Sequence, residues 1–223
     1  MSMSPRDRLR ANDRRFLGVA ATLSDEDWAA PSLCDQWNNH EVLAHLVIGY
    51  SGALTSLAAE LVRHAGAFDP ANADLARSLA AHKSPAELLD DFARLIDRPT
   101  GTGRYFPRRL LLGDHITHEL DMLYALDRSP AIPSDPLIAV LNIQVALPNP
   151  FVPAYRNSRG LRLIATDADW THGERGPEVS GRAAELVSVL GNRPRIVARL
   201  EGDGVAELTA RVLSRQTRTG AGS

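Results

Sequence analysis

An α-helix turns once in about 3.6 residues, so side chains four apart share a face. Asp114 and His118 have that spacing in the run Asp114-His-Ile-Thr-His118-Glu-Leu-Asp121, and Asp121 falls close to the same line. Apolar residues border this polar stripe: Leu110, Leu111 and Met122 flank it, and Leu112, Ile116, Leu120 and Leu123 take the opposite side. A stripe placed this way is not a simple solvated face. Asp and His held there need partners, because burying an unpaired polar group costs roughly 2–7 kcal/mol. A divalent cation suits both donor types. An internal Asp–His hydrogen bond, or an exposed groove, satisfies the same spacing, which therefore leaves the readings open. A ligand from another helix would close a metal site. His45, at the end of Trp37-Asn-Asn-His-Glu-Val-Leu-Ala-His45, is the best candidate, although a histidine so placed is by itself more often a satisfied core residue.

Ser4-Pro5 is a helix start, an N-cap followed by proline at the first helical position, and that helix runs to about Thr22. Ser24 to Trp28 is a short helical turn, and Pro31 to Gln36 is a loop. Asn38 with Glu41 forms a capping box for a helix expected to continue to about His64. Asp69 to Ala81 is a weaker helix. Ser84-Pro85 with Glu87 opens another that ends near Ile96, Pro99 to Gly103 is a loop, and Pro107 to Leu126 is the helix of the stripe. A further helix begins at Asp135-Pro136 and ends near Pro148. Beyond Asn149 the pattern changes. Leu161 to Ala165, Trp170 to Gly173, Pro177 to Gly181 and Ile196 to Leu200 read as strands, Arg182 to Leu190 as a helix, and the tail from Thr217 as disordered. The expected organisation is a helical bundle over residues 1–150 and a small α+β domain over 155–217, joined through Pro148, Pro150 and Pro153.

Composition narrows the function classes. The chain has 223 residues, 44% hydrophobic and 23% charged, with a net charge of −2. It can bury a core without staples, and its charge does not advertise nucleic acid or anionic membrane as a partner. Cys34 is the single cysteine, so no internal disulfide forms and a reducing cytoplasm is expected. No apolar run approaches the roughly 20 residues that span a bilayer, and the polar N-terminus lacks the apolar segment of a signal peptide. Lys83 is the only lysine among many arginines, a bias of GC-rich genomes.

The pattern Leu33-Cys34-Asp35-Gln36-Trp37 followed by His40-Glu41-Val42-Leu43-Ala44-His45-Leu46 resembles the Trp-to-His signature of mycothiol-dependent maleylpyruvate isomerase-like proteins, in the DinB-like four-helix bundle superfamily. Asp114, His118 and Asp121 resemble that family's Glu-x-x-x-His followed by x-x-Asp. Gly160 to Trp170 and Gly176 to Gly181 look like the strands of its C-terminal domain, so the likeness covers essentially the whole chain. It implies a mainly α fold, an up-and-down four-helix bundle followed by a small α+β domain. It also implies a divalent metal, zinc foremost, held by His45, Asp114 and His118, with Asp121 orienting His118 through its other ring nitrogen. The carboxylate is Asp114 where the isomerases carry Glu, one methylene longer. The implied activity is that of a transferase or isomerase using a low-molecular-weight thiol, mycothiol or a similar one, on a small electrophile. An actinobacterial source agrees with the arginine bias. The alternative is a non-catalytic bundle that binds a metal or small ligand; a purely structural dimer module is a third reading. Homodimerisation is left open.

Other residues have plainer readings. Cys34 is read as structural, Trp37 as a packing anchor near the site mouth, and Arg104, Arg108 and Arg109 as a solvated helix end rather than an anion clamp. His40 is expected to be exposed, His115 to point about 100° away from Asp114, and His64, His82 and His172, which have no partner spacing, to be surface residues.

Overall fold

The computed structural model describes residues 3–149 and 152–219. Its helices begin where side chains can cap them. Helix α1 (Pro5–Ala20) starts with the Ser4 side chain accepting from the Asp7 amide. Helix α2 (Asp25–Ala29) has a capping box between Ser24 and Asp27, α3 (Asn39–Ser51) one between Asn38 and Glu41, and α6 (Pro85–Asp97) one between Ser84 and Glu87. Between them lie α4 (Leu54–Arg63) and α5 (Phe68–His82). A 3₁₀ turn (Gly101–Arg104) then leads into α7 (Arg108–Ala125). Helices α1, α3, α6 and α7 form a four-helix bundle in which α1 and α3 each pack on both α6 and α7. Helix α5 lies against α3, and α4 against α5. The bundle core includes Leu9, Phe16, Leu43, Leu46, Phe92, Ile116 and Leu120, all buried.

The second helix was expected to run unbroken to His64, and it stops at Ser51 instead. The cause is tertiary. The amides of Thr100 and Thr102 donate to the carbonyls of Tyr50 and Gly52 at 2.9 Å each, so the 3₁₀ turn occupies the groups that would carry the helix onward. Gly101 and Gly103 permit that approach, since a Cβ on either would run into the backbone of residues 50–52.

The compact units of the chain divide between Ser129 and Pro130. In the second unit, α8 (Ser134–Ala146) packs on α9 (Ala154–Ser158) and α10 (Ala183–Leu190). Helix α8, expected with the bundle, is packed here instead, through its buried Leu137, Val140 and Leu141. A three-stranded sheet has the order β2 (Thr171–His172), β1 (Arg162–Ala165), β3 (Glu178–Gly181). Strand β1 is antiparallel to β2 and parallel to β3, with Leu163 opposite Val179.

The fourth expected strand is a 3₁₀ helix, Pro194–Arg199. Proline at its first turn pre-sets helical φ, and the Ile196 and Leu200 amides close onto the carbonyls three residues back, Arg193 at 3.2 Å and Val197 at 2.9 Å. Just beyond it, Glu201 pairs with the sheet, exchanging hydrogen bonds with Ser180 at 2.8 Å. Helix α11 (Val205–Thr219) follows, so Thr217 to Thr219 are helical where a disordered tail was expected. Residues 220–223 of that tail, and Pro150 of the expected joint, lie outside the described residues. The fold class is the expected one, mainly α with a four-helix bundle and a small α+β part. Among the described residues no helix is long and apolar enough to cross a membrane.

Candidate metal centre

Helices α3 and α7 face each other in the bundle and bring His45, Asp114 and His118 together. His45 Nε2 lies 3.3 Å from Asp114 Oδ2 and His118 Nε2 lies 3.6 Å from Asp114 Oδ1. The two imidazole rings meet edge to face, 4.7 Å between centroids. The three residues offer ligand atoms that all lie within 4.8 Å of one another. Donors bound tetrahedrally at zinc distances of about 2.0–2.2 Å stand roughly 3.3–3.6 Å apart. The carboxylate-to-imidazole gaps match that separation, and they are long for hydrogen bonds. The residues present therefore fit a divalent ion.

The surroundings fix the orientation of the donors. His118 Nδ1 lies 3.0 Å from Asp121 Oδ2, and that contact turns the other ring nitrogen, Nε2, toward Asp114. Asp121 is fully buried. Trp37 stacks on His45 at 4.8 Å and lies tilted against His118 at 5.5 Å. The loop that carries Trp37 is closed by an antiparallel bridge between Pro31 and Asn38 and docked on α7 by the Leu33 amide, which donates to the Asp121 carbonyl at 3.1 Å. Buried His45 Nδ1 has no hydrogen-bond partner among the described residues.

Asp114 is the open side of the cluster, its side chain 35% exposed against 12% for His45 and 10% for His118. Burial opposes its charge, but the His45 and His118 imidazoles outweigh that and hold the carboxyl well below the usual range.

His115 points elsewhere, as expected from its helical position, and the structure gives it a partner that sequence did not reveal. Its Nδ1 lies 3.0 Å from Asp13 Oδ1, and the Tyr50 hydroxyl donates to Asp13 Oδ2. This buried trio joins α1, α3 and α7. Burial opposes protonation of His115, but the Asp13 carboxylate raises its pKa above the ordinary value. Burial, and then Asp13, push the Tyr50 hydroxyl upward. One turn along α7, buried Glu119 takes two bonds from Arg15, at 2.7 and 2.5 Å.

His40 is half-buried rather than exposed, its Nε2 2.9 Å from the Lys83 carbonyl. His64 also has partners: Asp74 Oδ2 at 2.8 Å and Glu60 Oε2 at 3.8 Å. The Glu60-x-x-x-His64 spacing was the signal available for that contact. His82 is exposed and His172 half-buried on β2. Arg108 turns back onto the carbonyls of Gly103 and Arg104, and Arg104 and Arg109 are exposed. Cys34 is half-buried, its amide bonded to Ser32 Oγ at 3.0 Å.

The chain matches the family described as Mycothiol maleylpyruvate isomerase N-terminal domain over residues 9–121. It belongs to that family. The matched span holds all three donors and Asp121. Two solved structures are similar to most of the chain: the crystal structure of the mycothiol-dependent maleylpyruvate isomerase, with a TM-score of 0.51, 16% identity, and 86% of this chain and 90% of that chain covered, and that of a histidine-to-alanine mutant of the mycothiol-dependent maleylpyruvate isomerase, with a TM-score of 0.52, 15% identity, and 90% and 93% covered. At these identities the likeness extends to the fold. No curated protein matches the chain.

Proposed function

We propose that this member of the mycothiol maleylpyruvate isomerase N-terminal domain family is a metal- and thiol-dependent transferase or isomerase acting on a small electrophilic molecule. His45, Asp114 and His118 would hold a divalent metal, zinc foremost, and mycothiol or a similar low-molecular-weight thiol would be the co-substrate. The observation that carries the reading is the convergence of three donors at metal-ligand separations, with Asp121 behind one of them. Three protein donors is the number typical of catalytic rather than structural zinc sites. A bound divalent ion would supply Lewis acidity, which lowers the pKa of a thiol toward neutrality.

The chain's own residues do the rest. Asp121 holds His118 in one tautomer, Trp37 shields one side of both histidines from water, and the exposed edge of Asp114 leaves the cluster open to small molecules. The shorter Asp114 carboxylate still comes within 3.3 and 3.6 Å of both imidazoles, which supports a competent donor set despite the missing methylene. The solved relatives' name makes maleylpyruvate the first electrophile to assay.

The test is thiol-dependent turnover of maleylpyruvate and other small electrophiles by the metal-loaded chain. Activity is expected in wild type and in His172→Ala, and a loss of at least 100-fold in His45→Ala and His118→Ala. Equal activity in all four proteins would contradict the reading. Metal uptake without turnover of any electrophile would favour a non-catalytic metal-binding bundle.

A further inference from the structure

Helices α4 and α5 bring together a second set of donors. Glu60 and His64 are four residues apart on α4. The chain then reverses through Ala65 and Gly66, at φ 51° and 87°, and Asp74 of α5 meets His64. The three residues are half-buried and offer ligand atoms within 4.8 Å of one another.

Each carboxylate divides its two oxygens between different tasks. Glu60 Oε1 takes Arg63 Nη1 at 3.2 Å and Asp74 Oδ1 takes Arg77 Nη1 at 3.1 Å. The other oxygens, Glu60 Oε2 and Asp74 Oδ2, turn toward His64 Nε2. Tying the outer oxygen of a carboxylate is how supporting residues aim its inner oxygen at a metal. A hydrogen-bond account leaves a remainder. His64 Nε2 carries one proton at most, and at 2.8 Å that proton serves Asp74. Glu60 Oε2 is then buried without a hydrogen-bond partner. A cation in place of the proton would serve both inner oxygens and the imidazole nitrogen together, with His64 Nε2 and Asp74 Oδ2 opening from their 2.8 Å hydrogen-bond distance to the roughly 3.3–3.6 Å of donors on one ion.

We propose that Glu60, His64 and Asp74 form a second divalent-cation site, which clamps α4 to α5. Two carboxylate oxygens and one imidazole nitrogen suit zinc, manganese or iron(II) rather than a soft ion such as copper(I). The clamp bears on the first cluster as well: Arg77 Nη2 donates to the Gln36 carbonyl at 2.9 Å, and the next residue is Trp37, which stacks on His45. The proposal stands on its own observations and does not require the thiol chemistry proposed above.

The test is a zinc titration of the metal-stripped full-length chain against a chromophoric chelator, with far-UV circular dichroism as a check of folding. His118→Ala, which lacks one donor of the first cluster, is expected to bind one zinc per chain. His64→Ala/His118→Ala is expected to bind none, and zinc is expected to raise the melting midpoint of the single variant but not of the double. Glu60→Gln in the His118→Ala background leaves a similar shape and is expected to weaken binding at least tenfold. It decides the matter if the double variant does not fold. Zinc uptake by the double variant equal to that of His118→Ala, absence of uptake by His118→Ala, or an unchanged affinity in Glu60→Gln would each overturn the proposal. Failure of the first cluster reads out separately, as absence of zinc from His64→Ala.

Discussion

Replacing Asp121 tests how the first cluster is built without touching any of its three donors. The Asp121 carboxylate is fully buried and accepts from His118 Nδ1 at 3.0 Å, while the His118 side chain is only 10% exposed. In Asp121→Asn the carbonyl oxygen can still accept that hydrogen bond, but the charge is gone, and neutral hydrogen bonds have roughly half the strength of charge-assisted ones. In Asp121→Ala the ring N–H is left buried and unpaired, at about 1–3 kcal/mol. Loss of such an outer partner typically weakens metal binding about 10–100-fold, which is about 1.4–2.7 kcal/mol. Asn is expected near the low end of that range and Ala near the high end. The assay is a chelator competition with zinc at pH 7.5. A His64→Ala background confines the signal to His45, Asp114 and His118. Both variants binding zinc within threefold of the parent, with intact circular dichroism, would refute the orienting role of Asp121.

Three further predictions concern the frame that holds the site. Tyr50→Phe removes a hydrogen bond to the buried Asp13 carboxylate and is expected to cost about 1.5–3 kcal/mol in urea unfolding, whereas Asp13→Ala, which strands buried His115, is expected to cost about 3–5 kcal/mol; equal and negligible costs would show that the trio is not a stabilising unit. Ser84→Ala removes the N-cap of α6 and is expected to lower stability by about 1 kcal/mol, checked by the same unfolding curves. The Asp27 carboxyl is held below its ordinary pKa, first by the backbone hydrogen bond from Ser24 and then, against some desolvation, by the Ser24 hydroxyl and Arg128. Its folded pKa is depressed, so its contribution is present above the unfolded value of about 3.9 and is lost as pH falls through the folded value. The Tm difference between wild type and Asp27→Asn is therefore expected at pH 7 and should vanish in acid; a difference that grows as pH falls would contradict this.

Local signals were legible where the physics is local. Ser4-Pro5, Ser84-Pro85 and the Asn38 and Glu41 pair each satisfy helix-end amides with their own neighbours, so residue order alone announced α1, α6 and α3. The Asp114 and His118 spacing was legible for the same reason, since a helix sets it. The break at Gly52 was not, because the turn that imposes it is about fifty residues downstream and acts through the Thr100 and Thr102 amides. The Ile196 to Leu200 run alternates like a strand, yet behind Pro194 its amides bond to carbonyls three residues back rather than to a neighbouring strand. Asp13 gave no hint of its partnership with His115, because α1 and α7 meet only in the folded bundle. Asp74 and His64 are nearer in sequence, but only the left-handed turn at Ala65 and Gly66 shows that they touch.

Anomalous diffraction from a zinc-loaded crystal would locate the metal itself. A peak bonded to His45, Asp114 and His118 at about 2.0–2.2 Å is expected, absent from His118→Ala crystals prepared in the same way. A zinc-loaded wild-type crystal with no anomalous density between those three residues would contradict it.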